Sequence, residues 1–145
     1  MDIEKFKQSI RIKVRFCDLD AMGHVNNAAY LSYLEEARLA YYNQVLQMNT
    51  NNLEFDAVVA RIEIDYIEQI RLGDEVEVYT RTAKIGNKSS DVEHLIVVAG
   101  EKGRKIAARA MTKLVSFDYK TEKTIPVPEE KRLIIERFES GFITL

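Results

Sequence analysis

The chain has 145 residues, 46% hydrophobic and 30% charged, with a net charge of −2. That length suits one domain whose folding hides roughly 70% of the extended-chain surface, and the composition excludes a disordered chain. Interspersed, nearly balanced charge gives no support to general nucleic-acid or membrane-surface binding, and a single cysteine, Cys17, excludes an internal disulfide framework and any zinc pattern built on paired cysteines.

The first seven residues are charged and lack the apolar core of a signal peptide. No apolar run approaches the ~20 residues that span a bilayer. The expectation is a cytoplasmic protein, without membrane insertion, whose residues 1–145 form one domain. A strand is expected at about Ser9–Cys17, then a polar loop through Val25. From Asn27 to Gln44 a helix is expected, because Tyr30, Leu34, Ala37 and Tyr41 recur at helical spacing and form one apolar stripe. The polar interval Gln47–Glu54 ends it.

Strand patterns follow at Val58–Ile70, Glu75–Ile85, Ser89–Ala99 and Lys105–Asp118, separated by turns at Arg71–Asp74, Gly86–Lys88 and Gly100–Gly103. Pro128, followed by Glu129 and Glu130, opens a short helix to about Glu139. Strand, long helix, four strands and a short helix make an α+β order, with the antiparallel sheet wrapped around the long helix.

The chemistry concentrates between the first strand and the long helix. Asp18 and Asp20 suit a nucleophile or a base that activates water; the alternative is a turn role, since Asp bonds its own backbone in turns. His24 suits a hydrogen-bonding or general-acid role, or plain loop capping. Asn26 is the expected N-cap, which leaves Asn27 and Ala28 with the first free helix N–H groups, donors suited to a developing oxyanion. Gly23 suits a positive φ or a close substrate approach. Glu35 is either a second acid/base or a solvated partner of Arg38. Cys17 is expected to be buried and inert, and His94 to be structural. The cations Lys84, Lys88, Arg104, Lys105, Arg109 and Lys113 either meet a phosphorylated ligand or line a solvated strand face.

The run Asp18-Leu-Asp20-Ala-Met-Gly23-His24-Val-Asn-Asn27, then Tyr30-Leu-Ser-Tyr-Leu-Glu35-Glu-Ala-Arg38, resembles the hotdog-fold acyl-CoA thioesterases of the 4-hydroxybenzoyl-CoA thioesterase-like group. The later Ile85-Gly-Asn-Lys-Ser-Ser90 resembles that family's strand turn. The resemblance implies a five-stranded antiparallel sheet around a long central helix, homodimers or homotetramers, and a thioester site at the dimer interface. It implies Asp20 as the catalytic carboxylate and the Asn27 amide as the group that polarises the carbonyl. His24 matches a histidine used by some members, including plant acyl-carrier-protein thioesterases, which carry asparagine where this chain has Met22. Gly23, Val25, Tyr30, Glu35, Lys88 and Ser89 are the candidate substrate contacts.

The reading that results is hydrolysis of an acyl-CoA without cofactor or metal. The alternatives are an acyl-carrier-protein thioesterase and a non-catalytic acyl-CoA-binding hotdog protein.

Overall fold

The computed structural model describes residues 2–50 and 55–145. Its elements, in chain order, are β1 (Gln8–Lys13), α1 (Asn27–Gln44), β2 (Ala57–Tyr66), β3 (Glu75–Ile85), β4 (Ser89–Gly100), β5 (Gly103–Asp118), β6 (Lys123–Thr124) and α2 (Glu129–Phe138). The five long strands run antiparallel in the order β1-β3-β4-β5-β2, and the two-residue β6 pairs with the end of β5. This is the hotdog arrangement, a curled antiparallel sheet around one long helix.

Helix α1 begins where the cap residue predicts. The Asn26 side-chain oxygen accepts the Ala29 N–H at 2.9 Å, a contribution of about 1 kcal/mol. Its buried face holds the expected Tyr30, Leu34, Ala37 and Tyr41, and also Ala29, Tyr33 and Arg38. Small Ala29 and Ala37 let the helix settle closely against Ile12, Val76, Val78, Ile96, Val98 and Ala108 on the concave sheet face. A second apolar cluster joins Tyr41, Val45 and Leu46, at the far end of the helix, to Ile85, Val127 and Ile135.

A band of polar side chains also lies buried in the core. Thr80 and Thr112 are fully buried and His94 nearly so; Thr80 Oγ1 lies 3.1 Å from His94 Nδ1, and Arg38 Nη1 donates to Thr112 Oγ1 at 3.4 Å. Burial, aided by the nearby Arg38 charge, lowers the His94 pKa to about 3. The expected structural role of His94 fits this burial. The solvated Glu35–Arg38 pair does not: Arg38 turns inward under the helix while Glu35 stays exposed.

Three register shifts interrupt the sheet among the described residues. One breaks the β2–β5 register between Val59 and Arg61, and a second breaks the β3–β4 register between Thr82 and Lys84. The third, in β5, leaves Ala107 unpaired with β4, and its carbonyl accepts the N–H groups of Ile67 (2.8 Å) and Glu68 (3.1 Å). That carbonyl pins the segment leaving β2 beside the start of α1.

The first strand is shorter than its alternation suggests. β1 ends at Lys13, and residues 16–18 form a 3₁₀ turn. Cys17 is therefore exposed, not buried, because a tight turn does not carry strand alternation forward. Part of the polar interval after α1, residues 51–54, lies outside the described residues.

Candidate functional site

The loop between β1 and α1 is built by Asp18. It is buried, its Oδ2 accepts the Arg15 N–H at 2.9 Å and the Tyr33 hydroxyl at 2.8 Å, and its Oδ1 accepts the Arg15 guanidinium at 2.9 Å. Burial alone would raise the Asp18 pKa, and the bonds from Arg15 and Tyr33 more than reverse this, leaving it below the usual carboxylate range. Burial, then the Asp18 carboxylate, pushes the Tyr33 phenol up. With both its oxygens engaged, Asp18 clamps the loop onto α1. Its carbonyl also accepts the Asn26 N–H at 2.9 Å, which sets the helix cap.

Within that frame residues 20–24 close on themselves. The Asp20 N–H donates to the His24 carbonyl at 2.8 Å and the Gly23 N–H to the Asp20 carbonyl at 3.1 Å, with Gly23 at φ 82°. A side chain at position 23 would be strained in that left-handed conformation. Asp20 Oδ1 accepts the Met22 N–H at 2.9 Å and, at 3.4 Å, the His24 N–H. Its other carboxylate oxygen has no partner among the described residues. Asp20 is thus oriented through one oxygen and open at the other.

Just beyond this loop, α1 presents its N-terminus. Asn26 satisfies the Ala29 N–H, and the Asn27 and Ala28 N–H groups have no intramolecular acceptor among the described residues. Asp20, His24, Val25, Asn27 and Tyr30 line one open groove of about 410 Å³. A carboxylate, an imidazole and Asn27, the first residue of α1, thus share one groove; these are group types used in acid–base chemistry and in binding developing negative charge.

The opposite wall was not legible as part of a site in the sequence. Tyr66, Ile67, Glu68 and Gln69 come from the segment leaving β2, and Met22 completes the rim. The Tyr66 hydroxyl donates to the Asn27 carbonyl at 3.1 Å, and the Tyr30 hydroxyl to the Glu68 carbonyl at 3.1 Å. The two rings meet edge to face at 5.0 Å. These bonds tie the helix start to the β2 exit. The alternation puts Tyr66 on one face of a strand running to Ile70, but β2 ends at Tyr66, and the residues just past it wall the groove instead.

The remaining expected contacts fall elsewhere in this chain. Gly23 shapes the loop without lining the groove, and Glu35 is exposed on the helix, outside it. Lys88 lies in the β3–β4 turn and Ser89 opens β4; in that turn the Gly86 carbonyl accepts from Arg132 and the Asn87 carbonyl from Val127. That turn therefore packs at the α2 end of the molecule, away from the loop. Several of the cations are paired: Arg104 with Glu77, Lys105 with Glu68, and Lys113 with Asp91. Among the described residues no three His, Cys, Asp or Glu side chains gather as a metal-holding group, and no helix is long and apolar enough to cross a membrane.

Residues 14–135 match the family model described as the thioesterase-like superfamily. The chain belongs to that superfamily. A thioesterase from Thermus thermophilus, solved with coenzyme A and Zn, superimposes with a TM-score of 0.83 at 40% identity, over 94% of this chain and 96% of the other. The long-chain acyl-CoA thioesterase FadM of Escherichia coli K12 is 33% identical over 130 residues, covering 88% of this chain and 96% of the relative. The 4-hydroxybenzoyl-CoA thioesterase of Pseudomonas sp. strain CBS-3 has a TM-score of 0.79 at 16% identity, covering 88% of this chain and 97% of the other. At that identity the likeness is one of fold.

Proposed function

We propose that this member of the superfamily hydrolyses acyl-CoA thioesters in the groove at the start of α1. The observation that carries the reading is the convergence of Asp20, His24 and the unpartnered Asn27 N–H on that groove. The thioester carbonyl oxygen accepts from Asn27, with the helix dipole favouring the charge that develops there. Asp20, through its open oxygen, either adds to the carbonyl carbon or takes a proton from the water that does. In the first route the C–S bond breaks to leave an acyl-aspartate anhydride, which water then hydrolyses to the free acid and the Asp20 carboxylate. In the second, water adds directly and the tetrahedral adduct expels the thiolate. In both, one water is consumed and the thiolate takes up a proton to leave as coenzyme A thiol. His24 supplies a hydrogen bond or a proton during that transfer.

Two features favour coenzyme A over an acyl-carrier protein as donor. The Thermus relative was solved with coenzyme A and FadM is named for acyl-CoA. Lys105, beside the groove, is engaged by Glu68, which reduces the basic surface that an acidic carrier would need.

A homodimer fits the same reading. β2 is an edge strand, 10 residues long and unpaired on its outer side among the described residues, and such edges are usually covered. Phe16, Met22, Tyr66, Ile67 and Leu72 are exposed apolar side chains near this end of the molecule. A second copy across that edge would cover them.

The test is thiol release from a panel of short, long and aromatic CoA esters. Wild type should turn over at least one, and Asp20→Ala should abolish turnover while its circular dichroism is unchanged. Full activity in the variant, or tight binding without thiol release in wild type, would refute the reading.

A further inference from the structure

Beside the groove, outside the residues that line it, stands Arg71. Its backbone is fixed from both sides. Arg71 and His24 form an isolated antiparallel β-bridge, next to the Val25 N–H to Ile70 carbonyl bond of 2.8 Å. On the other side, the Arg71 N–H donates to Asp74 Oδ2 at 2.9 Å and the Arg71 carbonyl accepts the Asp74 N–H at 3.1 Å, closing the turn at Gly73. Directly paired residues of an antiparallel bridge place their side chains side by side. The guanidinium accordingly reaches the imidazole, with Nη2 3.5 Å from His24 Nε2.

A guanidinium has donors and no acceptor, whereas a neutral imidazole has one of each. The contact is therefore attractive only when Nε2 carries the lone pair. A proton on Nε2 would set N–H against N–H. An imidazole free in water favours the opposite form, with the proton on Nε2, so the neighbour must supply the bias.

We infer that Arg71 is a positioning residue that fixes His24 as the Nδ1–H tautomer, so that the hydrogen His24 offers to a bound thioester or its attacking water comes from Nδ1. The catalytic part of this rests on the function proposed above; the tautomer does not. Among the described residues no carboxylate bonds the ring: Asp20 bonds the His24 backbone N–H, not the imidazole. In catalytic triads a carboxylate sets the histidine tautomer by accepting from it. Here a cation does so by donating, which leaves the other ring nitrogen as the donor.

Only two histidines exist in the chain, so long-range ¹H–¹⁵N correlation spectra at about pH 8, above the ordinary histidine range of ~6.5, resolve each ring. A His94→Gln variant assigns the His24 signals. Wild type should show His24 protonated at Nδ1 alone. Arg71→Gln, whose amide can accept as well as donate, should release the ring to Nε2–H, and Arg71→Lys, a donor only, should hold Nδ1–H. In steady-state assays Arg71→Gln should lower kcat about tenfold, part of the ~10²–10⁴ that a positioned acid or base supplies, with KM little changed, and Arg71→Lys should restore most of it.

An Nε2–H or doubly protonated His24 in wild type overturns the inference, as does an unchanged tautomer in Arg71→Gln. An unchanged kcat in an active enzyme overturns its catalytic part. If wild type turns over no CoA ester, the function proposed above fails on its own, and the spectra still decide the tautomer.

Discussion

Replacing His94 by Gln should flatten the acid side of the folding-stability profile. In the folded chain His94 is almost completely buried, in contact with Thr80 Oγ1, and its Nε2 has no partner among the described residues. Burial and the Arg38 charge lower its pKa to about 3, against ~6.5 in an unfolded chain. Below pH 6.5 the unfolded state takes up a proton that the folded state refuses, so stability falls as pH drops through the window from 6.5 to 3.

At about 1.36 kcal/mol for each pH unit between those values, the whole window is worth ~5 kcal/mol, and the stretch down to pH 5 about 2 kcal/mol. Urea unfolding at pH 7.5 and pH 5.0, at one protein concentration, measures this directly. Wild type should lose about 2 kcal/mol more than His94→Gln between the two. Equal losses would mean that His94 takes up its proton without unfolding, and the buried, neutral imidazole would be wrong.

Glu139 should act in the opposite direction. It is fully buried, bonded to the Tyr41 hydroxyl and the Thr82 N–H, and burial raises its pKa. Its stabilising share is complete below the ordinary pKa of 4.5 and is lost as pH rises through the elevated folded value; Glu139→Gln should remove that alkaline-going loss in the same unfolding assay, and an unchanged slope would count against it. Asp18→Ala leaves Arg15 and Tyr33 without their acceptor and should cost about 1–3 kcal/mol in urea melts, lowering stability where Asp20→Ala lowers turnover. Asn26→Ala should cost ~1 kcal/mol and, by loosening the helix start, also reduce kcat; a stability loss with kcat intact would separate the cap from the oxyanion site.

Much of this architecture was legible because its signals are local. Asn26 at the cap, the Tyr30–Tyr41 stripe, and Gly73 and Gly103 with positive φ at strand turns all act within a few residues. The loop elements Asp20, His24 and Asn27 span eight positions, so their shared groove could be anticipated from chain neighbours. What the sequence hid was long-range. Tyr66 reaches Asn27 only because the bulge at Ala107 holds the β2 exit in place, and no spacing announces that bulge. Asp18 and Asp20 look equivalent on paper; the Tyr33 hydroxyl, fifteen residues on, makes one a buried clamp and leaves the other open. The exposure of Cys17 and the burial of Arg38 are set in the same way, by a turn in one case and by packing onto β5 in the other.

The decisive observation would be a crystal structure of the Asp20→Asn variant holding an uncleaved acyl-CoA. The thioester oxygen should lie within about 2.7–3.1 Å of the Asn27 amide nitrogen, with the side chain at position 20 facing the carbonyl carbon or a water beside it. A thioester bound with its carbonyl turned away from the start of α1 in every copy would contradict the assignment.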